Sequence, residues 1–338
     1  RDVQVEQPIF VQLLNKQQEL SIVKAGTIGN VRIIDDAEAT NKPIKPKKAL
    51  IVILSIMLGL ISSVSLVLLR VFLRKGMENH EDIEKIGLPV FSIIPYSQEQ
   101  TNLATKNSSP KKSQLLALAN PADLAIEALR GLRTSLHFAM LHAKNNVIMV
   151  TGASPNIGKS FISVNFANIL AMGNHKTLLI DADMRKGLLH QYTGCHKKRG
   201  LSDYLSEQSE LTSIIQQTEC THFDIITCGT TPLNPAELLM HPNFVKLLND
   251  VKDKYDYILI DTPPILAVTD AAIIGQYVDT TLFVARYRVT TQKEIEAATQ
   301  RLNQNGISIK GVVFNAVERR ASNTYSQYGY YNCSNHVY

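Results

Sequence analysis

Val147-Ile-Met-Val-Thr-Gly-Ala-Ser-Pro-Asn-Ile-Gly-Lys-Ser160 decides the fold of this 338-residue chain. Four apolar residues and a threonine end in a glycine-containing loop, and Lys159-Ser160 then opens an apolar, helix-forming stretch to Met172. Strand, loop, Gly-Lys-Ser, helix is the context in which backbone N–H groups and a helix N-terminus surround phosphate oxygens. Lys159 would add a point charge, and the Ser160 hydroxyl would reach a divalent cation. The first glycine of the strict motif is Ala153 here, with Gly152 beside it.

Working outward, further apolar runs occur at Thr177–Asp181, Asp224–Thr227, Tyr257–Asp261, Thr281–Ala285 and Gly311–Asn315, separated by amphipathic stretches such as Lys159–Met172 and Gln292–Asn305. Continuous rather than alternating hydrophobicity implies strands covered on both faces, hence a mostly parallel α/β sheet flanked by helices. Ligands of such sheets sit at the C-terminal strand ends. Asp181 and Asp183 end one run and Asp261 another, so three carboxylates would share the phosphate edge, a magnesium-site pattern; helix N-capping is the modest alternative.

Before this domain, Ala49–Leu69 holds 21 uncharged residues, enough at about 1.5 Å per residue to cross the roughly 30 Å hydrocarbon core. Lysines before it and basic residues after it nearly balance, so loop charge leaves orientation open. The nucleotide site downstream needs cytoplasmic ATP and places the following residues inside. Residues 1–48, with apolar residues alternating at Val3, Val5 and at Ile9, Val11, and again at Val31 to Ile34, read as the last piece of an extracytoplasmic domain that ends at Pro43-Ile-Lys-Pro46. After the span, Glu81–Ile86 predicts a short helix and Leu88–Pro95 a strand, and the polar residues 97–114 read as a flexible linker. The expected domains are therefore 1–48, the membrane helix 49–73, a juxtamembrane segment and linker 74–120, the P-loop domain 121–318, and a tail 319–338.

Composition adds exclusions. With 45% apolar and 19% charged residues the chain is globular, and its +5 charge is local, as at Lys42 to Lys48, so no nucleic-acid partner is expected. The four cysteines have neither CxxC spacing nor histidine partners at metal-ligand spacing, which points to neither zinc nor a disulfide framework, and to a reducing compartment.

Taken together, these residues resemble the bacterial tyrosine kinase family, in particular the C-terminal half of the membrane-anchored polysaccharide co-polymerases that are also tyrosine autokinases. The resemblance runs through Gly26-Thr-Ile-Gly-Asn-Val-Arg32, Pro43 and Pro46, the apolar helix, Glu127-Ala-Leu-Arg-Gly-Leu-Arg133, Ala153 to Ser160, Asp181 to Arg185, Asp261 and the tyrosine-rich tail. It implies that Ala153, Ser154, Pro155, Asn156, Ile157, Gly158, Lys159 and Ser160 bind ATP. Ser160, Asp181, Asp183 and Asp261 would hold Mg²⁺ or activate the attacking tyrosine, with Asp183 chosen as base. It further implies a ring-like homo-oligomer contacted through Glu127, Arg130 and Arg133, although spacing alone serves equally well for a solvated helix face. Tyr325, Tyr328, Tyr330, Tyr331 and Tyr338 would be the phosphorylated residues. Inner-membrane location, residues 1–48 in the periplasm, polysaccharide polymerisation and export machinery and a cognate phosphotyrosine phosphatase follow from the same resemblance. One departure is Leu188, where some members carry an internal tyrosine. Two rivals remain: a partition-type ATPase, which usually carries a second lysine where Ser154 stands, and a non-catalytic, ATP-sensing chain-length regulator.

Overall fold

The computed structural model describes residues 3–26, 45–73, 76–106, 113–141 and 143–318. The chain divides into two compact units, Arg1–Val67 and Leu68–Tyr338.

In the first unit, Val3–Gly26 is one helix. The alternation at Val3, Val5, Ile9 and Val11 is therefore not extended chain, because the Gln, Leu, Lys and Glu residues that follow are strong helix formers and carry the first turns with them. Val31 to Ile34 and Pro43 lie outside the described residues. A second helix spans Lys48–Leu73. Within it Leu50–Arg70 has mean hydropathy 2.7 and none of its length buried in protein, which makes it long and apolar enough to cross a membrane.

The second unit is built on eight strands: β1 (Val90–Pro95), β2 (Val147–Gly152), β3 (Thr177–Asp181), β4 (Ile215–Gln217), β5 (Phe223–Ile226), β6 (Tyr257–Asp261), β7 (Thr280–Arg286) and β8 (Ile309–Val317). Their order is β1-β8-β7-β2-β6-β3-β5-β4. Every pairing is parallel except β4 with β5. All seven apolar runs expected as strands are present. The additional strand β4 is a three-residue Ile-Gln-Gln edge with no apolar run to announce it. Two apolar layers cover the sheet, one containing Phe244, Phe283 and Phe314 and the other Phe166, Phe223 and Leu129.

The stretch expected to be juxtamembrane segment and linker contributes to this unit. β1 pairs with β8, and Met77 exchanges backbone hydrogen bonds with Arg288 and Thr290. Part of the expected linker is a helix, Gln98–Lys106, and residues 107–112 lie outside the described residues. The helix Leu124–Met140 starts where Asp123 caps it, its carboxylate accepting from Ala125 N at 2.8 Å.

Candidate active site

β2 delivers the chain to the sheet's C-terminal edge, and the loop after it turns into the helix Lys159–Met172. Two backbone positions make the turn. Asn156 adopts φ 60° and Gly158 φ 95°, and Gly158 is further restricted because a Cβ there would collide with the Asn315 side chain. The loop carbonyls are held from outside the loop. Asn315 Nδ2 donates to Ile157 O at 2.9 Å, and Arg286 Nη1 donates to Asn156 O at 2.8 Å. Ser154 Oγ donates to Glu294 Oε1 at 2.7 Å. These contacts aim the first N–H groups of the helix, which have no intrahelical acceptor, at the space above the loop.

Beside the loop, Asp181 and Asp261 end adjacent parallel strands as register partners. Both are buried, at 0% and 1% exposure, although isolated carboxylates are costly to desolvate. Asp261 accepts from Ser160 Oγ at 2.7 Å and from Ser163 Oγ at 2.9 Å. Asp181 accepts from Leu189 N at 3.2 Å and Asp183 N at 3.3 Å. Burial, and then the neighbouring Asp261, push Asp181 well above the usual carboxylate range. Burial also lifts Asp261 to about 6, against the opposing pull of Lys159, Ser160 and Ser163. Lys159 is buried too, which lowers its pKa in spite of Asp261 and Asp183, and its Nζ donates to Ser154 O at 3.4 Å. An ammonium and two mutually repelling carboxylates under a ring of N–H donors fit a phosphate chain and a divalent cation, which would satisfy both at once.

Asp183 is only half-buried. Its Oδ1 accepts from Arg185 N at 3.2 Å and Lys186 N at 3.0 Å, and it lines a cavity of about 370 Å³ with Lys159, Ser160, Arg286 and Leu188. Among the described residues no three His, Cys, Asp or Glu side chains gather as a metal-ligating group. The expected set of Ser160, Asp181, Asp183 and Asp261 divides by position: Asp181 and Asp261 are buried, with Ser160 Oγ donating to Asp261, whereas Asp183 is half-buried on the cavity wall. A magnesium ion commonly keeps several waters and takes one or two protein carboxylates.

The remaining expected site residues fall elsewhere. Arg130 pairs with Glu127 at 2.6 Å on their own helix. Arg133 lies over the C-terminal end of the helix Lys159–Met172, where a Cβ on Gly173 would stand 2.8 Å from its Nη1. The five tail tyrosines lie outside the described residues. Sequence reading missed Ser163, Arg286, Asn315, Glu294 and the buried Asp270 that grips Arg185 through two contacts of 3.3 Å. Of these only Ser163 carried a signal, standing one helical turn after Ser160 on the same face.

Comparison with known proteins agrees with this geometry. Residues 1–72 match the GNVR family model, a G-rich domain, and residues 145–300 match an AAA domain model. The kinase domain of the Escherichia coli tyrosine kinase ETK superposes with a TM-score of 0.70 at 44% identity, covering 74% of this chain and 98% of that one. This chain belongs to the bacterial tyrosine kinase family. The BceF tyrosine kinase domain, another member, gives a TM-score of 0.67 at 44% identity, with 72% and 100% of the two chains covered. Among full-length members, the Salmonella typhi tyrosine-protein kinase wzc is 50% identical over 336 residues, 98% of this chain and 47% of the relative. The etk kinase of Escherichia coli K12 is 47% identical over 96% of this chain and 46% of its own length. The chain thus spans about half the length of the curated relatives it matches. As a member it has the P-loop fold that implies nucleotide binding, and its family is membrane-anchored.

Proposed function

We propose that this chain is an ATP-dependent protein-tyrosine autokinase that phosphorylates its own C-terminal tyrosines in trans, within a ring-like homo-oligomer, and so regulates polymerisation and export of a capsular or exopolysaccharide. The observation that carries the reading is the joining of three things on one sheet edge: the Lys159 loop, the Asp181–Asp261 pair, and the end of β8. Beyond β8 the sequence carries Tyr325, Tyr328, Tyr330, Tyr331 and Tyr338. Relatives named tyrosine-protein kinases at about half identity support the same reading.

In the reaction, a tyrosine Oη–P bond forms as the bond between the γ-phosphorus and its bridging oxygen breaks, and ADP leaves. The loop N–H groups and Lys159 hold the phosphates in line and absorb charge that spreads onto the γ-phosphoryl oxygens. Ser160, Asp181 and Asp261 would hold Mg²⁺, which when bound neutralises charge on the β- and γ-phosphates. Asp183 lines the cavity that the incoming phenol would enter, and its carboxylate would take the phenolic proton. The loose transition state asks for little proton removal beforehand, so positioning dominates.

The same proposal puts the helix 49–73 in the bacterial inner membrane, residues 1–48 in the periplasm, and the kinase domain 121–318 and tail 319–338 in the cytoplasm. Glu127, Arg130 and Arg133 would exchange their internal partners for those of a neighbouring subunit. Polymerisation and export machinery and a phosphotyrosine phosphatase are the expected partners.

A mixture tests transfer between subunits: a Lys159→Met chain with an intact tail, and an active chain whose five tail tyrosines are Phe. Phosphotyrosine on the Lys159→Met chain is the expected result, and a blank overturns transfer between subunits.

A further inference from the structure

His196-Lys197-Lys198-Arg199 places three permanent cations in a row, and the nucleotide site uses none of them. The backbone beneath them is firmly held. His196 N donates to Gln216 Oε1 at 2.9 Å, and Gln216 Nε2 donates back to His196 O at 2.9 Å. Thr227 Oγ1 donates to the carbonyls of His196 at 3.1 Å and Lys197 at 3.2 Å. Arg199 is kept in the left-handed region at φ 62°, a conformation that persists only where the surroundings over-determine it. Gly200 after it is pressed so close to Thr227 and Gly229 that a Cβ would strike their backbone. The fixed loop, with Ser213 and Gln216, borders an open surface cavity of about 440 Å³. Among the described residues no carboxylate forms an ion pair with Lys197, Lys198 or Arg199.

A rigid frame carrying unpaired cations around a cavity is an anion site, and the chain itself supplies a matching anion. We infer that this cradle binds a phosphotyrosine of the chain's own phosphorylated tail. The inference rests on the autokinase reading for the origin of that phosphate. Three observations favour this occupant.

The first is place. The loop runs beside Thr227, just past the end of β5, on the same sheet edge as Lys159 and the end of β8. Cys228, the residue after Thr227, lies against Gly187, whose N–H donates to Asp183 O at 2.7 Å.

The second is charge. Residues 319–338 contain Arg319 and Arg320 and neither Asp nor Glu. The unmodified tail has nothing to offer the cradle, whereas each phosphate brings about −1.5 to −2 charges and three oxygens for charge-assisted hydrogen bonds. Binding is thereby conditional on the reaction having occurred.

The third is reach. β5 lies five positions from β8 in the sheet, roughly 24 Å at about 4.8 Å per strand. Tyr328 follows Val317 by eleven residues, up to about 38 Å of extended chain. The cradle can therefore be served from its own tail or from a neighbour's.

The test uses the full chain in detergent with Phe at all five tail tyrosines, saturated with ADP and Mg²⁺ so that neither its own tail nor the Lys159 loop interferes. The probe is a synthetic peptide of residues 319–331 carrying phosphotyrosine at Tyr328, compared with its unphosphorylated form; neither requires the chain to be an active kinase. The phosphopeptide should bind at least tenfold more tightly, weakening as salt rises. Lys197→Gln combined with Lys198→Gln should remove about a tenfold share of that affinity while the initial autophosphorylation rate of the otherwise wild-type chain stays unchanged. Equal affinity for the two peptides overturns the proposal. Displacement by inorganic phosphate at the same concentration as free phosphopeptide reduces the cradle to a simple anion site and also overturns it. If the double variant loses affinity for phosphatidylserine vesicles but keeps it for the phosphopeptide, the cradle belongs to a membrane surface and the proposal fails.

Discussion

Two apolar regions of this molecule treat their side chains in opposite ways. In the helix Lys48–Leu73, Leu58 is 67% exposed and Leu60 63%, with neighbours similarly bare. In β6, Ile258, Leu259 and Ile260 are all at 0%. The strand's apolar surface is covered by protein on both faces. The helix satisfies its backbone internally and leaves its side chains without protein cover, the condition that hydrocarbon tolerates and water does not. Hydrophobicity alone therefore cannot tell a core from a span. Length, together with a partner surface, can.

The same substitution should separate the two regions. Leu259→Arg buries an unpaired charge between sheet and helices and should cost more than about 4 kcal/mol, abolishing the cooperative unfolding transition of the α/β unit. Leu60→Arg should leave that transition within about 0.5 kcal/mol of the wild type. It should instead disfavour membrane insertion by about 3 kcal/mol, read as protein released by alkaline extraction. If both changes damaged the α/β unit equally, the helix would be a core element and not a span.

Next in size is the loss of the Lys159 contact. Lys159→Met should lower tail phosphorylation at least about 100-fold, the scale of removing one charge-assisted contact in a transition state, with thermal unfolding little changed. Full phosphotyrosine signal in this variant would remove the loop from the mechanism.

A subtler contrast lies inside the α/β unit, between carboxylates that the fold strains and one that it favours. Asp261 has its folded pKa raised to about 6 by burial, above the unfolded value of about 3.9. Its contribution to stability is thus fully present below about pH 4 and is lost as pH rises through 6. Asp261→Asn should flatten that loss, making the nucleotide-free chain more stable at pH 7 by something on the order of 2 kcal/mol, while Mg²⁺-dependent nucleotide binding weakens at least about tenfold. Stability that falls on this substitution would show that Ser160 and Ser163, and not the repulsion, dominate at Asp261.

Asp203 has the opposite sign. Burial raises its pKa, but donation from Gly200 N at 2.9 Å and Thr230 N at 3.2 Å prevails and holds it below the ordinary value. Its contribution is present above about pH 4 and disappears as pH falls through the lower folded value. Asp203→Ala should destabilise the unit by about 1–2 kcal/mol at pH 7, and the gap between variant and wild type should close in acid.

The sheet was largely legible because seven of its strands are continuous apolar runs, and a parallel sheet demands that. β4 was hidden because an edge strand of three residues needs no such run, and the helix Val3–Gly26 was not announced by its start because the alternating apolar residues there weigh less than the helix formers after them. At the site, Lys159, Ser160 and the aspartates were visible as local motifs at strand ends. The register of Asp181 against Asp261 depends on β3 lying next to β6, and Arg286 and Asn315 come from strands far along the chain. No local pattern encodes such meetings.

The central claim is that the edge built from Lys159, Asp181 and Asp261 transfers phosphate to tyrosine. The direct measurement is to incubate the purified chain with ATP and Mg²⁺ and map its phosphorylated residues by mass spectrometry beside a Lys159→Met control. Phosphotyrosine among residues 325–338 in the wild type, absent from the control, is the predicted result. ADP and free phosphate released with no phosphotyrosine would contradict the account and leave an ATPase on the same fold.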